Sequence, residues 1–232
     1  MKKIFIGVVL SVLFVAQSAF AMTFSQPVKV GRIACISGGG FFFENASANN
    51  GTLSKYGRGK AYDTGVARFG EGKDSLYFHY RYGDWQKKIS WIMLFGSEDK
   101  DNTVSVDILA TEILKITGNN LTFYLISDGY DLAENNILTL IGKKSDGTWV
   151  KYFDTLSIGK KYFGSGNNKG IRTQWGLSFY KPETKGDTII IHYIRNKDGG
   201  QIQLRHDVDE HGEFRFKWDE AAQWFGVEQI VY

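Results

Sequence analysis

Ser75 to Asp84 reads SLYFHYRYGD, and two later stretches return to its form: LTFYLISDGYD from Leu121 and IIIHYIRNKDGG from Ile189. Each is an aromatic and β-branched run that ends in Gly, Asp or Asn, a composition that suits strands and the turns that stop them. In the first stretch Leu76, Phe78, Tyr80 and Tyr82 share one face of an extended chain, and Tyr77, His79 and Arg81 share the other. The fold class that follows is all-β: an antiparallel β-sandwich or soluble β-barrel built from related strand-turn-strand units, with one short C-terminal helix.

Working outward, the first unit continues with a strand over Ile89 to Phe95, a polar turn from Ser97 to Asn102 and a strand over Thr103 to Val106. The second has strands over Leu121 to Ile126 and Ile137 to Ile141, then the hairpin turn Ser145-Asp146-Gly147 into Thr148 to Phe153. The third has Thr188 to Ile194, Gln201 to Leu204 continuing toward Val208, a turn at Glu210 to Gly212, and Glu213 to Trp218. Val106-Asp107, Phe153-Asp154 and Trp218-Asp219 close the three units, each about 30 residues after its opening strand, an interval that suggests one supersecondary element used repeatedly.

Between the units the pattern is less regular. Asp107 to Thr117 is consistent with a short helix capped by Asp107 or with another strand. The insertion from Ser157 to Asp187 contains Lys161-Tyr162-Phe163-Gly164, which echoes Lys55-Tyr56-Gly57 and predicts two diverged halves, residues 55–117 and 161–227. At the end, Asp219 as N-cap, Ala221 and Ala222 as helix formers and Gly226 as terminator predict the short helix, followed by a strand from Val227. The first third reads as a strand over Val28 to Ile36, a glycine bend at Gly38 to Gly40, and three core aromatics, Phe41 to Phe43; Glu44 to Gly72 predicts loops or short, bent strands. A phosphate cradle would need a helix directly after the glycines, and Phe41 to Phe43 do not open one.

Residues 1–21 have a basic start at Lys2 and Lys3, an apolar run from Ile4 to Ala16 and the small-residue site Ala19-Phe20-Ala21, the form of a secretory signal peptide. The expectation is export to the periplasm, cell envelope or extracellular space, with residues 22–232 forming a single β-rich domain. No later run approaches the roughly 20 apolar residues of a membrane helix. The formal charge is +3, of which Lys2 and Lys3 supply two, and the remaining cations are scattered among acids, which excludes the basic face of a nucleic-acid binder. Cys35 is the single cysteine, so stability must come from burial; a buried free thiol is the first reading, ahead of an intermolecular disulfide or a nucleophile.

Candidate chemistry is sparse. His79 and His192 occupy matching positions in the first and third units, where Tyr124 stands in the second, and two facing halves would let the imidazoles share a metal. Asp207, Asp209 and His211 would point one way along a strand and form a partial ligand set; a solvated hairpin end accounts for the same residues. Glu98 to Asn102 lacks the EF-hand pattern and reads as a polar turn. No nucleophile elbow, zinc signature or paired carboxylate is legible, so no catalytic residue, metal ligand or cofactor is assigned. Aromatic residues make up 15% of the chain, and Trp85 and Trp175, in loop or glycine-rich contexts, are the candidates to stack on a ligand. The expected function is a non-enzymatic secreted or envelope β-domain that binds a protein or glycan; the alternatives are a small outer-membrane β-barrel and an envelope-polymer hydrolase.

Overall fold

The computed structural model describes residues 22–36, 40–49, 64–106, 108, 110–128, 137–163, 177–196 and 209–232. Residues 1–21, read as a leader, the 55–63 and 164–176 stretches of the expected echo between halves, and the strand expected from Gln201 toward Val208 lie outside the described residues.

Three antiparallel sheets account for nearly all of it. The five-stranded sheet has the order β3-β4-β5-β6-β7, from β3 (Ala46–Asn49), β4 (Thr64–Phe69), β5 (Leu76–Arg81), β6 (Ile92–Gly96) and β7 (Thr103–Ser105). The six-stranded sheet joins β1 (Val28–Ile36), β2 (Gly40–Glu44), β8 (Ala110–Gly118), β9 (Leu121–Asp128), β10 (Ile137–Lys143) and β11 (Trp149–Asp154) in the order β11-β10-β9-β8-β1-β2. The four-stranded sheet is a meander of β12 (Leu177–Lys185), β13 (Thr188–Asn196), β14 (Asp209–Asp219) and β15 (Trp224–Val231). The sheets are open and do not close into a barrel; the sandwich form of the expectation is the one adopted. The three stretches that open the sequence pattern become β5, β9 and β13, one in each sheet.

The six-stranded sheet is the middle layer, and the alternation along β9 shows why. Phe123 and Leu125 enter a core shared with Phe179, Ile191, Phe214, Phe216 and Trp218 of the four-stranded sheet. Tyr124 and Ile126 enter a second core shared with Phe69, Phe78 and Phe95 of the five-stranded sheet. A strand buried on both faces needs apolar residues at both parities, and Phe123-Tyr124-Leu125-Ile126 supplies them. Leu76, Phe78 and Tyr80 of β5 are buried, as period 2 requires, while Tyr77 and Arg81 face away. Ring contacts tie the layers together: Phe153 stacks on Phe216 with centroids 3.7 Å apart, and Phe41 meets Phe78 edge-on at 5.5 Å. Gly31 on β1 lets the middle layer approach β4, since a Cβ there would lie 2.3 Å from the Phe69 ring.

Several expectations are corrected. The short helix exists but is α1 (Thr155–Phe163), which overlaps the start of the stretch read as an insertion; Asp154 caps it, its Oδ1 accepting from Ser157 N at 2.7 Å. At the C-terminal site Asp219 does cap, accepting from the amides of Ala221 and Ala222, but what it caps is a tight turn. Gln223 leaves that turn at φ 50 and the chain enters β15, because Phe225 completes the core under the four-stranded sheet. No turn forms at Glu210 to Gly212, which lie within β14; Gly212 is a close-packing glycine, its missing Cβ 2.4 Å from the Ile230 carbonyl oxygen. Over Ala110–Gly118 the ambiguous segment is strand, with Ile113 and Ile116 turned into opposite cores. Of the three phenylalanines after the glycine bend, Phe41 and Phe43 belong to the core and Phe42 faces the other way, half-buried. No helix among the described residues is long and apolar enough to cross a membrane.

Candidate functional site

The β5–β6 hairpin joins two paired strands of the five-stranded sheet. Asp84 and Ile89 close its tip by a pair of backbone hydrogen bonds, 3.0 and 2.8 Å, and Lys88 turns the corner at φ 57. The Asp84 carboxylate accepts from the amides of Gln86 and Lys87, and an ion pair to Lys87 Nζ at 3.4 Å adds to the brace. The hydrogen bond from the Lys87 amide is the main reason that this carboxyl sits below its ordinary range. At the base, Trp91 packs 4.2 Å from Tyr82, over Gly83, whose added Cβ would fall 2.2 Å from the indole. Above that braced base Trp85 projects at 85% exposure, with Ile89 and Trp91 also partly exposed beside it. Trp175, the other aromatic candidate, lies outside the described residues.

A second constellation occupies the outer face of the four-stranded sheet. In register across it, His192 on β13 stands beside Tyr180 on β12 and Glu213 on β14. β12 is an edge strand whose register shifts between Tyr180 and Glu183, where Lys181 adopts φ 46 and Pro182 offers no amide; this bulge brings Glu183 to the imidazole. His192 Nε2 lies 3.2 Å from Glu183 and Nδ1 lies 3.7 Å from Glu213. Glu213, 4% exposed, also accepts from Arg215 Nε at 2.5 Å and from the Tyr232 hydroxyl. Burial pushes its carboxyl up, but the bonds from Tyr232 and Arg215 and the nearby positive charge outweigh that and hold it below its ordinary value. Sequence alternation through Glu213, Phe214, Arg215 and Phe216 marks Glu213 as outward; only the strand packing shows that it is covered.

The structure separates the two histidines that the sequence paired. His79 and His192 lie on the outer faces of different outer sheets, with the middle layer between them, so they cannot share an ion. His79 is buried and its Nε2 bonds to the Ser97 carbonyl at 2.9 Å. Tyr124, which takes the matching place in the second unit, is a core residue whose hydroxyl donates to the Asp74 carbonyl. Of the Asp207, Asp209 and His211 set, Asp207 and the Asp209 side chain lie outside the described residues, and His211 is an internal β14 residue opposite Ile194. Among the described residues no group of three His, Cys, Asp or Glu is placed to hold a metal. In the Glu98 to Asn102 turn Asp99 accepts from the Asp101 amide, as a polar turn would. Cys35 is a free, half-buried thiol, and burial pushes its pKa up to about 11, away from a nucleophile's range.

Comparison with protein-family models, curated proteins and solved structures finds no match to the chain.

Proposed function

We propose that this chain is an exported, non-enzymatic binding protein of the cell envelope or extracellular space, and that its β5–β6 hairpin engages a protein or glycan partner with Trp85 as the anchor. The observation that carries this reading is the indole at 85% exposure on a turn held by Asp84. A single exposed apolar residue needs no explanation, but a large rigid aromatic on a braced tip loses little entropy when it is covered. Burying such a Trp at the centre of an interface contributes about 2 kcal/mol or more. The basic start, apolar run and small-residue site of residues 1–21 support export, and the β-sandwich supplies a platform for its loops.

The test is capture of ligands by the chain from residue 22 onward, on a glycan array and against solubilised envelope fractions, compared with Trp85→Ala. The expected result is a ligand retained by the native chain and weakened about thirtyfold or more in the variant, as loss of an interface anchor implies. Equal capture by both proteins would remove Trp85 from the site. Turnover of any polymer on the array would overturn the non-enzymatic reading.

A further inference from the structure

At the opposite end of β5 from Trp85 a cleft of about 520 Å³ opens against the middle sheet. We propose that it is a separate binding site for an acidic saccharide, one that does not depend on the hairpin reading. β5, six residues long, separates the two sites and by itself spans roughly 20 Å at a rise near 3.3 Å per residue.

Three chain segments build the cleft. One wall is the β10–β11 hairpin, which brings Lys143 and Lys144; the second is the short 3-10 turn Gly72–Asp74, which brings Lys73; the β8–β9 connection supplies Asn120 and Thr122. Beneath the cleft Tyr124, fully buried, and Trp149, 7% exposed, pack at 6.1 Å with an interplanar angle of 31° and close its floor as part of the core. These parts are fixed in place. Asn102, from the β6–β7 turn, donates to the Gly147 carbonyl at 2.9 Å and accepts from the Trp149 amide at 2.8 Å, so it clamps the hairpin to the outer sheet. Tyr124 ties the floor to the Asp74 carbonyl, and burial keeps its proton on. A wall set before binding spares the ligand the entropy of ordering it.

Charge and polarity decide the class of ligand. Lys73 and Lys143 form no ion pair among the described residues, while Lys144 acts on the Asp146 carboxylate of the same turn through its charge. Lys144 Nζ also lies 5.8 Å from the ring centre of Trp224. Two carboxylates also line the cleft. Asp146 is engaged by its own turn, accepting from the Thr148 amide at 2.8 Å, and that bond holds its carboxyl below the ordinary range; Asp74 remains to accept from a ligand hydroxyl. A neutral sugar would leave Lys73 and Lys143 unmatched, and a bare anion would leave Asn120, Thr122 and Asp74 unused. A hydroxylated ring that carries a carboxylate or phosphate uses all of them. The volume falls in the range of about 300–1,000 Å³ that holds small ligands.

Calorimetric titration of the chain from residue 22 onward tests this with four probes: a galacturonic acid trisaccharide, the neutral galactose trisaccharide, glucose 6-phosphate and inorganic phosphate. The acidic trisaccharide or the sugar phosphate is expected to bind, whichever acid the cleft prefers, and the neutral sugar and inorganic phosphate at least about tenfold more weakly, since each lacks one half of the match. Lys143→Gln together with Lys144→Gln should weaken the acidic ligand about tenfold or more while the thermal midpoint stays in place, and added salt should weaken it in the native chain. Lys73→Gln, on a different segment, should weaken it as well and guards against misfolding of the double variant. Trp85→Ala should leave it unchanged. Absence of binding by both acidic probes, equal affinity for the neutral trisaccharide or inorganic phosphate, or full affinity in the folded lysine variants would overturn the proposal; loss in Trp85→Ala alone would move the ligand to the hairpin.

Discussion

The two outer sheets flank the same middle layer and are built for different work. The four-stranded sheet has strands of 8 to 11 residues, paired in unbroken register from β13 to β15. Its outer face carries a connected polar group, Glu183, His192, Glu213, Arg215 and Tyr232, in which each charge has a partner. The five-stranded sheet has strands of 3 to 6 residues and sends out a hairpin with an exposed Trp at its tip. Long ladders with satisfied polar groups hold a layer together, whereas short strands leave more of the chain in turns that can meet a partner. The contrast teaches that the two outer layers differ in build, one a long ladder with a paired polar face and the other short strands with an exposed indole, on which the proposed recognition role rests.

The comparison breaks most severely in the cores, where the two sides should respond alike. Phe216→Ala under the four-stranded sheet and Phe78→Ala under the five-stranded one should each cost about 3–5 kcal/mol, because each removes a buried ring from a close-packed aromatic cluster. Urea denaturation followed by Trp fluorescence measures both. Since β9 lines both cores, each variant should still unfold in one transition; a second transition confined to one variant would show that the two sides melt separately.

A smaller and asymmetric effect is expected from the polar face. Glu213→Gln should cost about 1–3 kcal/mol near neutral pH, the range for losing hydrogen bonds made to a charged group. Its pH dependence has a definite sign. In the fold this carboxyl lies below its ordinary 4.5, so below that pH the unfolded chain takes up the proton first. The stabilisation is therefore complete above 4.5 and is lost as pH falls through the folded value. Urea midpoints measured from about pH 6 down to pH 2 should drop less steeply in the Gln variant; parallel profiles would mean that Glu213 is not the group responsible.

Least of all should move on the recognition side. Trp85→Ala should change stability by about 0.5 kcal/mol or less, since the indole is mostly in water and the Asp84 brace is made by backbone amides. Thermal melts check this. A large loss would mean that the indole packs against the hairpin and would turn the proposed anchor into a structural residue.

How much of this was legible in the sequence differs from element to element. β1, β5, β9 and β13 were readable because alternation or a β-branched run is a local signal. α1 was missed because Thr155–Phe163 follows directly on the strand Trp149–Asp154, runs into a glycine-rich stretch, and has only one amphipathic turn or two to show. The turn at Asp219 was mistaken for a helix because an Asp cap followed by alanines is common to both, and only the place reserved for Phe225 in the core decides between them. Trp85 could be picked out, since it follows directly on a Gly-Asp turn. Glu213 could not, because its neighbours Tyr232 and His192 are remote in sequence and its burial comes from side chains on three strands.

By itself, then, the sequence determined the all-β class, the opening strands and, along Ser75 to Asp84, the apolar face that turns inward, since backbone period and side-chain chemistry are properties of a few consecutive residues. Tertiary structure alone decided that the strand at Leu121 is the middle of three layers, that His79 and His192 face away from each other, that Lys73 joins Lys143 and Lys144 around one cleft, and that Glu213 is covered. Those facts depend on which sheet lies against which, and that is set by the fit of many distant side chains at once.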